Sequence, residues 1–339
     1  MPTDNKSIGT KTEVKTDTKP ERSNIYKVAE KAGVSFVTVS RVFNNHPHVS
    51  VAMRERVLAA AREVGYSPKL VSKPNRIGLL INDLDDFSKP GHQQTRITQI
   101  MRAATEKEFA CDFIPIDNLD LATRRHVDGL IAVGIPLADI DNLGAMPDVP
   151  IIQTFLSGEA TEWNTVTCNS SQEVMLGLNH LHSLGHRKIA LVLEGLDIPA
   201  MRERHVAFVR NATTPISGSI DDHVFMLGAD SADYIAQELV QNKFTAALFM
   251  SNHSPLPMFN ALRHGHGVAI PQDFSFVALE VPYVSEQSYP GLTSIVQPLE
   301  NVAEAAVNDM ISLIKGADSS PHKIFQSELI IRGTTGPCS

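Results

Sequence analysis

Six short apolar runs, separated by longer amphipathic segments, constrain the fold of this chain more than any other feature of its sequence. The runs are residues 77–81, 128–133, 150–155, 188–193, 246–250 and 274–279. Helical patterns lie among them at residues 97–109, 171–184 and 299–314. Strands that alternate with helices predict parallel sheets with helices on both faces. Because roughly 260 residues hold too many strands for one small sheet, we expect two similar α/β lobes.

The N-terminal part of the chain follows a different pattern. Residues 1–23 contain almost no apolar side chains, which predicts a disordered tail because such a segment cannot bury a core. Residues 24–67 have a compact helical pattern, whereas residues 68–76 contain two prolines and are typical of a short linker. The sequence therefore predicts a small helical domain at 24–67, joined by a linker to a two-lobed domain at 77–339.

The charge of the chain is divided between these parts. Residues 1–76 carry 14 Lys and Arg against 7 Asp and Glu, whereas the remainder carries 16 against 31. A basic head on an acidic body favours a polyanionic partner for the head alone, although a solvated basic tail would give part of the same asymmetry.

Several classes of protein are disfavoured by what the sequence lacks. No apolar run approaches the roughly 18 residues needed to span a bilayer, and the first residues lack the apolar core of a secretory signal. We therefore expect a cytoplasmic, nucleoid-associated protein without a membrane partner. Cys111, Cys168 and Cys338 are scattered, which favours three reduced thiols over a disulfide framework or a zinc site. No metal or cofactor is expected.

Residues 25–66 predict a helix-turn-helix followed by a third helix. Gly33 supplies the tight bend between the first helix (26–31) and the second (36–43), because glycine tolerates positive φ at little cost. Ser35 is placed to cap the second helix, which points Val39 and Val42 inward.

The outer face of the second helix carries the chemistry of DNA recognition. Thr38, Ser40, Arg41, Asn44 and Asn45 combine short hydroxyl and amide groups, which suit phosphates, with one long donor that suits a base edge. The alternative is a generic three-helix cap without a ligand. The spacing favours DNA binding.

The strings AEKAGVSFVTVSRVFNN and RERVLAAAREVGYSP resemble the headpiece of the lactose-repressor/galactose-repressor (LacI/GalR) family of transcription regulators. The resemblance implies sequence-specific binding to double-stranded DNA at a palindromic operator, with a repressor role. It implies base-edge contacts from Phe36, Val37 and Arg41. It implies phosphate contacts from Tyr26, Ser35, Thr38, Ser40, Asn44 and Ser50.

The linker departs from the family pattern. Relatives carry a longer segment that folds into a hinge helix on DNA and wedges a leucine into the minor groove. Here SPKLVSKPNR leads at once into IGLLI, Leu70 is the one available leucine, and Pro74 would stop a helix. Whether this linker forms a hinge helix stays open.

The body resembles the same family, and with it the two-lobed type I periplasmic-binding-protein fold with three crossover strands. The matching strings include LNHLHSLGHRKIALVLEG and PGLTSIVQPLENVAEAAVNDMISLI. The expected fold is therefore a small all-α headpiece plus a two-lobed α/β domain. A small molecule would bind in the interlobe cleft, at the carboxyl ends of strands.

The resemblance places an effector site at Phe155, Asn169, Arg204, Asn252, His253 and Glu280. Arg204 would clamp hydroxyls or a carboxylate, or else form an interlobe salt bridge. His253 is either a pH-sensitive group or an ordinary polar residue. Because Phe155, Asn169 and His253 replace acids of relatives, a simple hexose is disfavoured relative to a different effector or none.

A homodimer is expected because one helix-turn-helix reads few base pairs. A tetramer is not expected, because the sequence shows no leucine-heptad pattern like that of tetrameric relatives. Two other classes of protein are disfavoured by the sequence. A solute-binding protein conflicts with the attached headpiece. An enzyme conflicts with the lack of a phosphate loop, a GxSxG elbow or a metal-spaced histidine cluster.

Overall fold

The computed structural model describes residues 25–43, 49–66, 75–82, 91–135, 148–156, 163–212, 219–227, 230–317 and 322–338. Asn44, the predicted tail at 1–23 and residues 68–74 of the predicted linker lie outside the described residues. The chain divides into two compact units, Met1–Pro74 and Asn75–Ser339. No helix in the described part of the chain is both long and apolar enough to cross a membrane.

The N-terminal unit contains three helices: α1 (Ile25–Ala32), α2 (Phe36–Phe43) and α3 (Val51–Glu63). Val28, Val39 and Val57, one from each helix, are fully or almost fully buried against one another. Gly33 has a φ of +62° at the bend between α1 and α2. This left-handed conformation is available to glycine at little cost, and so the bend follows from the residue type.

The first lobe contains a parallel six-stranded sheet in the order β11-β5-β4-β3-β1-β2. Its strands are β1 (Arg76–Ile81), β2 (Ala110–Pro115), β3 (Gly129–Val133), β4 (Ile151–Thr154), β5 (Asn164–Cys168) and β11 (Lys323–Phe325). Its helices are α4 (His92–Glu106), α5 (Asp120–Arg125) and α11 (Leu299–Ile314). The apolar sides of α4 and α11 pack on one face of this sheet.

The second lobe contains another six-stranded sheet, in the order β12-β10-β9-β8-β6-β7, in which β12 runs antiparallel to β10 and the other pairs are parallel. Its strands are β6 (Ile189–Leu193), β7 (Val224–Met226), β8 (Ala246–Phe249), β9 (Ser275–Leu279), β10 (Thr293–Val296) and β12 (Glu328–Ile330). Its helices are α6 (Ser170–Ser183), α7 (Pro199–Asn211), α8 (Ala232–Gln241), α9 (Leu256–Asn260) and α10 (Val284–Gln287).

The chain passes between the lobes three times. It crosses from β5 to α6, from β10 to α11, and from β11 to β12. Two parallel-rich sheets with three crossovers confirm the predicted fold class. The arrangement brings the carboxyl ends of strands from both sheets to one cleft, which is where open α/β sheets bind ligands.

Candidate functional site

The outer face of α2 is a solvent-accessible surface with mixed apolar and polar groups. Phe36 and Val37 are 43% and 52% exposed although both are large and apolar, and Arg41 is exposed as well. Val39 and Val42, on the opposite face, are buried. This division places the predicted base-contacting side chains together on one side of the helix.

The predicted phosphate-contacting residues flank this face. Tyr26 is 62% exposed, and its ring stacks on that of Phe36 with 5.3 Å between centroids. The hydroxyl of Ser35 accepts from the backbone N–H of Thr38 at 3.2 Å, which caps α2 as predicted. Ser50 caps α3 by accepting from the N–H of Met53. Ser40 is half-buried on α2.

The cleft of the second unit has a volume of about 180 Å³ and is lined from both lobes. Three of the predicted effector residues line it: Phe155, Asn252 and His253. The other lining residues, which the sequence reasoning did not identify, are Asn82, Gly91, Gln93, Arg96, Gly134, Glu194 and Ile198. Several of them, such as Gly134 after β3 and Glu194 after β6, directly follow a strand.

Arg96 connects the lobes across this cleft. Its Nη2 donates to Oδ1 of Asn252 at 3.0 Å and to Oε1 of Gln297 at 3.4 Å, and its guanidinium lies 5.0 Å from the ring centroid of Phe155. Phe155 has a φ of +57°, which is strained for an aromatic residue. The ring is thus held by its backbone beneath a buried cation, a favourable cation–π arrangement.

Glu194 holds Asn252 from the other side. Its carboxylate accepts from the backbone N–H of Asn252 at 2.8 Å, from the side-chain amide of Asn252 at 3.1 Å and from the hydroxyl of Ser251 at 3.2 Å. Nε2 of His253 lies 3.6 Å from the same carboxylate. Because both its backbone and its side chain are fixed, Asn252 presents its amide oxygen to Arg96 in one orientation.

The lobes also touch through their backbones at this cleft. The N–H of His92 donates to the carbonyl oxygen of Asn252 at 3.2 Å, and Gly91 forms a β-bridge with His253. A Cβ on Gly91 would lie 2.9 Å from that carbonyl oxygen, so the close approach requires glycine.

The structure corrects the expectation for Arg204. The side chain is 1% exposed and does not line the cleft. Its Nε and Nη2 donate to Oε2 of Glu173 at 3.1 and 2.8 Å, and its Nη1 donates to the carbonyl oxygen of Met250. Since α6 and α7 belong to the same lobe, the pair is not the interlobe salt bridge considered as the alternative.

Glu280 and Asn169 also lie away from the cleft. Both carboxylate oxygens of Glu280 accept from Arg332, at 3.0 and 3.2 Å, and Glu280 borders a separate cavity of about 270 Å³. The side chain of Asn169 caps α6 by accepting from the N–H of Gln172 at 3.0 Å. Both positions follow strands, as the sequence reasoning required, but internal partners bind the carboxylate of Glu280 and the amide oxygen of Asn169.

Burial changes the protonation of the groups beneath the cleft. Burial, reinforced by the charges of Arg96 and Arg204, holds the pKa of His92 well below that of an ordinary histidine. Burial, the larger cause, and the charge of Arg204 together lower the pKa of Arg96 to about 10. Burial raises the pKa of the Cys168 thiol to about 12. At neutral pH this region therefore contains a neutral imidazole on His92, a charged guanidinium on Arg96 and a protonated thiol on Cys168.

Comparison with known proteins relates both units to described families. Residues 24–69 match bacterial regulatory proteins of the lacI family, and residues 178–335 match the periplasmic binding protein-like domain. The chain is 29% identical over 333 residues to the lactose operon repressor of Escherichia coli (strain K12), covering 92% of this chain and 90% of the repressor. It is 25% identical over 319 residues to the uncharacterized HTH-type transcriptional regulator YvdE of Bacillus subtilis (strain 168), covering 91% and 98%.

Solved structures share the architecture. The lac repressor dimer bound to operator and the anti-inducer ONPF matches with a TM-score of 0.76 at 24% identity, covering 93% of this chain and all of that one. The transcriptional regulator CelR in complex with cellobiose matches with a TM-score of 0.64 at 23% identity, covering 92% and 100%. At these identities the likeness shows the fold.

Proposed function

This chain belongs to the lacI family of bacterial regulatory proteins, and from that premise we propose that it represses transcription by binding a palindromic operator as a homodimer. A small molecule in the interlobe cleft would modulate its affinity for DNA. The lacI family is one of bacterial regulatory proteins, and the two named relatives are a repressor and a transcriptional regulator. No catalytic role is proposed for any residue.

The observation that carries the DNA-binding proposal is the exposed face of α2. Phe36 and Val37 remain accessible to solvent beside Arg41, although apolar side chains of this size are usually buried in so small a domain. A major groove admits one helix, where a guanidinium can donate twice to guanine and an apolar side chain can contact a thymine methyl. Tyr26, Ser35, Thr38, Ser40, Asn44 and Ser50 would contact phosphates around that helix.

The experiment is an unbiased selection of double-stranded DNA by the purified full chain, followed by a salt titration. We expect the recovered sequences to contain a palindrome, because a dimer presents two recognition helices related by twofold symmetry. Affinity for the recovered site should fall steeply with salt as counterions are released, yet remain above that for random DNA. Recovery of no preferred sequence would refute the proposal.

The effector proposal rests on the cleft. Phe155, Asn252 and His253 line it together with Arg96 and Glu194. Three solved structures of similar fold are complexes of other regulators with ONPG, cellobiose and ribose. For this chain we propose a small polar effector in the same cleft, without Arg204, Glu280 or Asn169 as direct contacts.

The domain boundaries and the cellular site form part of the same proposal. We assign residues 24–67 to the DNA-binding domain, 68–76 to a short linker and 77–339 to effector binding and dimerisation, with residues 1–23 as a tail. The protein would act in the cytoplasm at the nucleoid, where its operator lies.

A further inference from the structure

Two buried arginines near the cleft have unequal partners. Arg204 is paired with Glu173, whose carboxylate is fully buried. Arg96 is 4% exposed, and its acceptors are two neutral amide oxygens, those of Asn252 and Gln297. A buried charge that contacts only neutral groups is costly, because amides replace water less effectively than a carboxylate does.

Arg96 also has N–H groups without acceptors. Its Nε is buried without a hydrogen-bond partner, and among the described residues no acceptor is bound to Nη1. Nη1 lies beside Gly134 in the cleft lining, 3.8 Å from where a Cβ on that glycine would stand. The side chain therefore reaches the cleft with unsatisfied N–H groups.

The neighbouring imidazole of His92 also lacks hydrogen-bond partners. His92 precedes Arg96 by one turn of α4, and both of its ring nitrogens are buried without partners in the described part of the chain. A neutral imidazole still carries one N–H. Because the other ring nitrogen is an acceptor, two buried N–H groups on this face of α4, one of His92 and Nε of Arg96, lack an acceptor. They point to a missing acceptor, since a buried unpaired polar group costs free energy.

The nearby carboxylates, those of Glu173 and Glu194, accept hydrogen bonds from residues other than Arg96. Glu173 accepts from Arg204, from the amide of Gln297 at 2.6 Å and from the hydroxyl of Ser327 at 3.1 Å. Glu194 lies beyond Asn252 and accepts its three hydrogen bonds from that residue and Ser251. Neither carboxylate contacts Arg96 directly.

We propose that the effector carries an oxyanion beside its hydroxyl groups, and that Arg96 is the residue that binds this oxyanion. The inference rests on the proposed function, because it names the chemical class of the effector in the same cleft. The amide of Asn82 and the amide oxygen of Gln93 suit the hydroxyl groups of such a molecule, while the amide nitrogen of Gln93 donates to the carbonyl oxygen of Val133 at 2.9 Å. A carboxylate and a phosphate share the required chemistry, and the experiment separates them.

The experiment measures the melting temperature of the full chain at constant ionic strength with matched pairs of compounds. Gluconate is compared with sorbitol and galacturonate with galactose, which tests the carboxylate. Glucose 6-phosphate is compared with glucose, which tests the phosphate. We expect an acid to raise the melting temperature with saturation, and its neutral counterpart to bind about 10- to 100-fold more weakly, because it lacks one charge-assisted hydrogen bond.

Variants of α4 then locate the effect. Arg96→Gln should lower the affinity for the stabilising acid about 10- to 100-fold and leave the affinity for the neutral counterpart nearly unchanged. Arg96→Lys keeps the charge and should retain part of the preference. Arg102→Gln is the matched control, because Arg102 lies on the same helix but pairs with Glu106 and Glu300 at the surface. The wild-type comparison needs no variant, so it stands even if Arg96→Gln fails to fold.

Two outcomes would overturn the inference: neutral compounds that bind as tightly as their acids, or no stabilisation by any of the three acids. Operator binding is measured separately with the same preparation. If DNA selection succeeds and the acids fail, the effector class is wrong while the regulator proposal stands. If DNA selection fails and the acids bind, the regulator proposal is wrong.

Discussion

Arg204 of α7 donates from both Nε and Nη2 to one carboxylate oxygen of Glu173 on α6, at 3.1 and 2.8 Å. Both side chains are almost completely removed from solvent. The other oxygen of Glu173 accepts from Gln297 and Ser327, which lie on two of the chain segments that cross between the lobes. The pair therefore connects two helices of the second lobe to the crossovers, and the guanidinium fork has its acceptor within the protein.

Removal of one member of this pair should destabilise the protein severely. Glu173→Ala leaves a buried guanidinium without its counter-ion, so we expect a loss of about 3–5 kcal/mol in the free energy of unfolding. Urea denaturation followed by circular dichroism measures the loss. Glu106→Gln removes an exposed partner of Arg102 and serves as the control, with an expected change below about 1 kcal/mol.

The double variant Glu173→Leu, Arg204→Met distinguishes charge from packing. Because it removes both buried charges and retains apolar volume, it should recover most of the stability that Glu173→Ala loses. If the double variant is as unstable as Glu173→Ala, the loss arises from packing and not from the uncompensated charge.

The sequence predicted the fold better at the centre of each sheet than at its edges. All six apolar runs form strands, because a central strand buried on both faces must be apolar throughout. The other six strands of the described residues, β2, β5, β7, β10, β11 and β12, were not predicted. Two examples are β5 (NTVTC) and β7 (VFM). The first is rich in threonine and the second is three residues long and lies at an edge, so neither gives the pattern of a buried strand.

The candidate site was predicted only in part, for two physical reasons. Positions after strands were predictable, and Phe155 and Asn252 line the cleft. The sequence did not identify Glu173 as the partner of a buried arginine, because an acid in the first turn of a helix is expected from the helix dipole alone. Arg96 could have been found, since it shares the apolar face of α4 with Ile100 and Ala103, where a charge requires explanation.

Arg41 should determine sequence preference more than overall affinity for DNA. Arg41→Ala removes a donor pair directed at a base edge, so we expect specific binding to weaken by about 1–3 kcal/mol, or roughly 5- to 150-fold. Binding to random DNA should fall much less, since phosphate contacts remain. Fluorescence anisotropy with the selected operator and with scrambled DNA measures both.

Arg62→Ala is the matched control for the loss of charge, because Arg62 is an exposed arginine in the last turn of α3. We expect it to change binding to the two DNAs equally. If Arg41→Ala also weakens both equally, Arg41 contacts phosphates and does not read a base.

The buried imidazole of His92 should make stability depend on pH. Burial and two nearby guanidinium groups lower the pKa of His92 in the folded protein, while the unfolded chain takes up a proton near the ordinary value of about 6.5. Below that pH the unfolded state therefore binds more protons than the folded state does. The contribution of His92 is consequently complete above pH ~6.5 and is lost as pH falls below it.

His92→Leu should therefore flatten the loss of stability on acidification. Between pH ~7.5 and ~5.5 we expect the free energy of unfolding of the wild-type protein to fall by about 1.4 kcal/mol more than that of the variant. This is the cost of keeping the imidazole neutral at about one pH unit below its pKa in the unfolded chain. His180, His182 and His186, whose pKa values are lowered mainly by burial, are present in both proteins and cancel in the comparison. His264→Leu, at an exposed position, should leave the slope unchanged. Equal slopes for His92→Leu and wild type in urea denaturation would show that the imidazole is protonated, or solvated, in the folded protein.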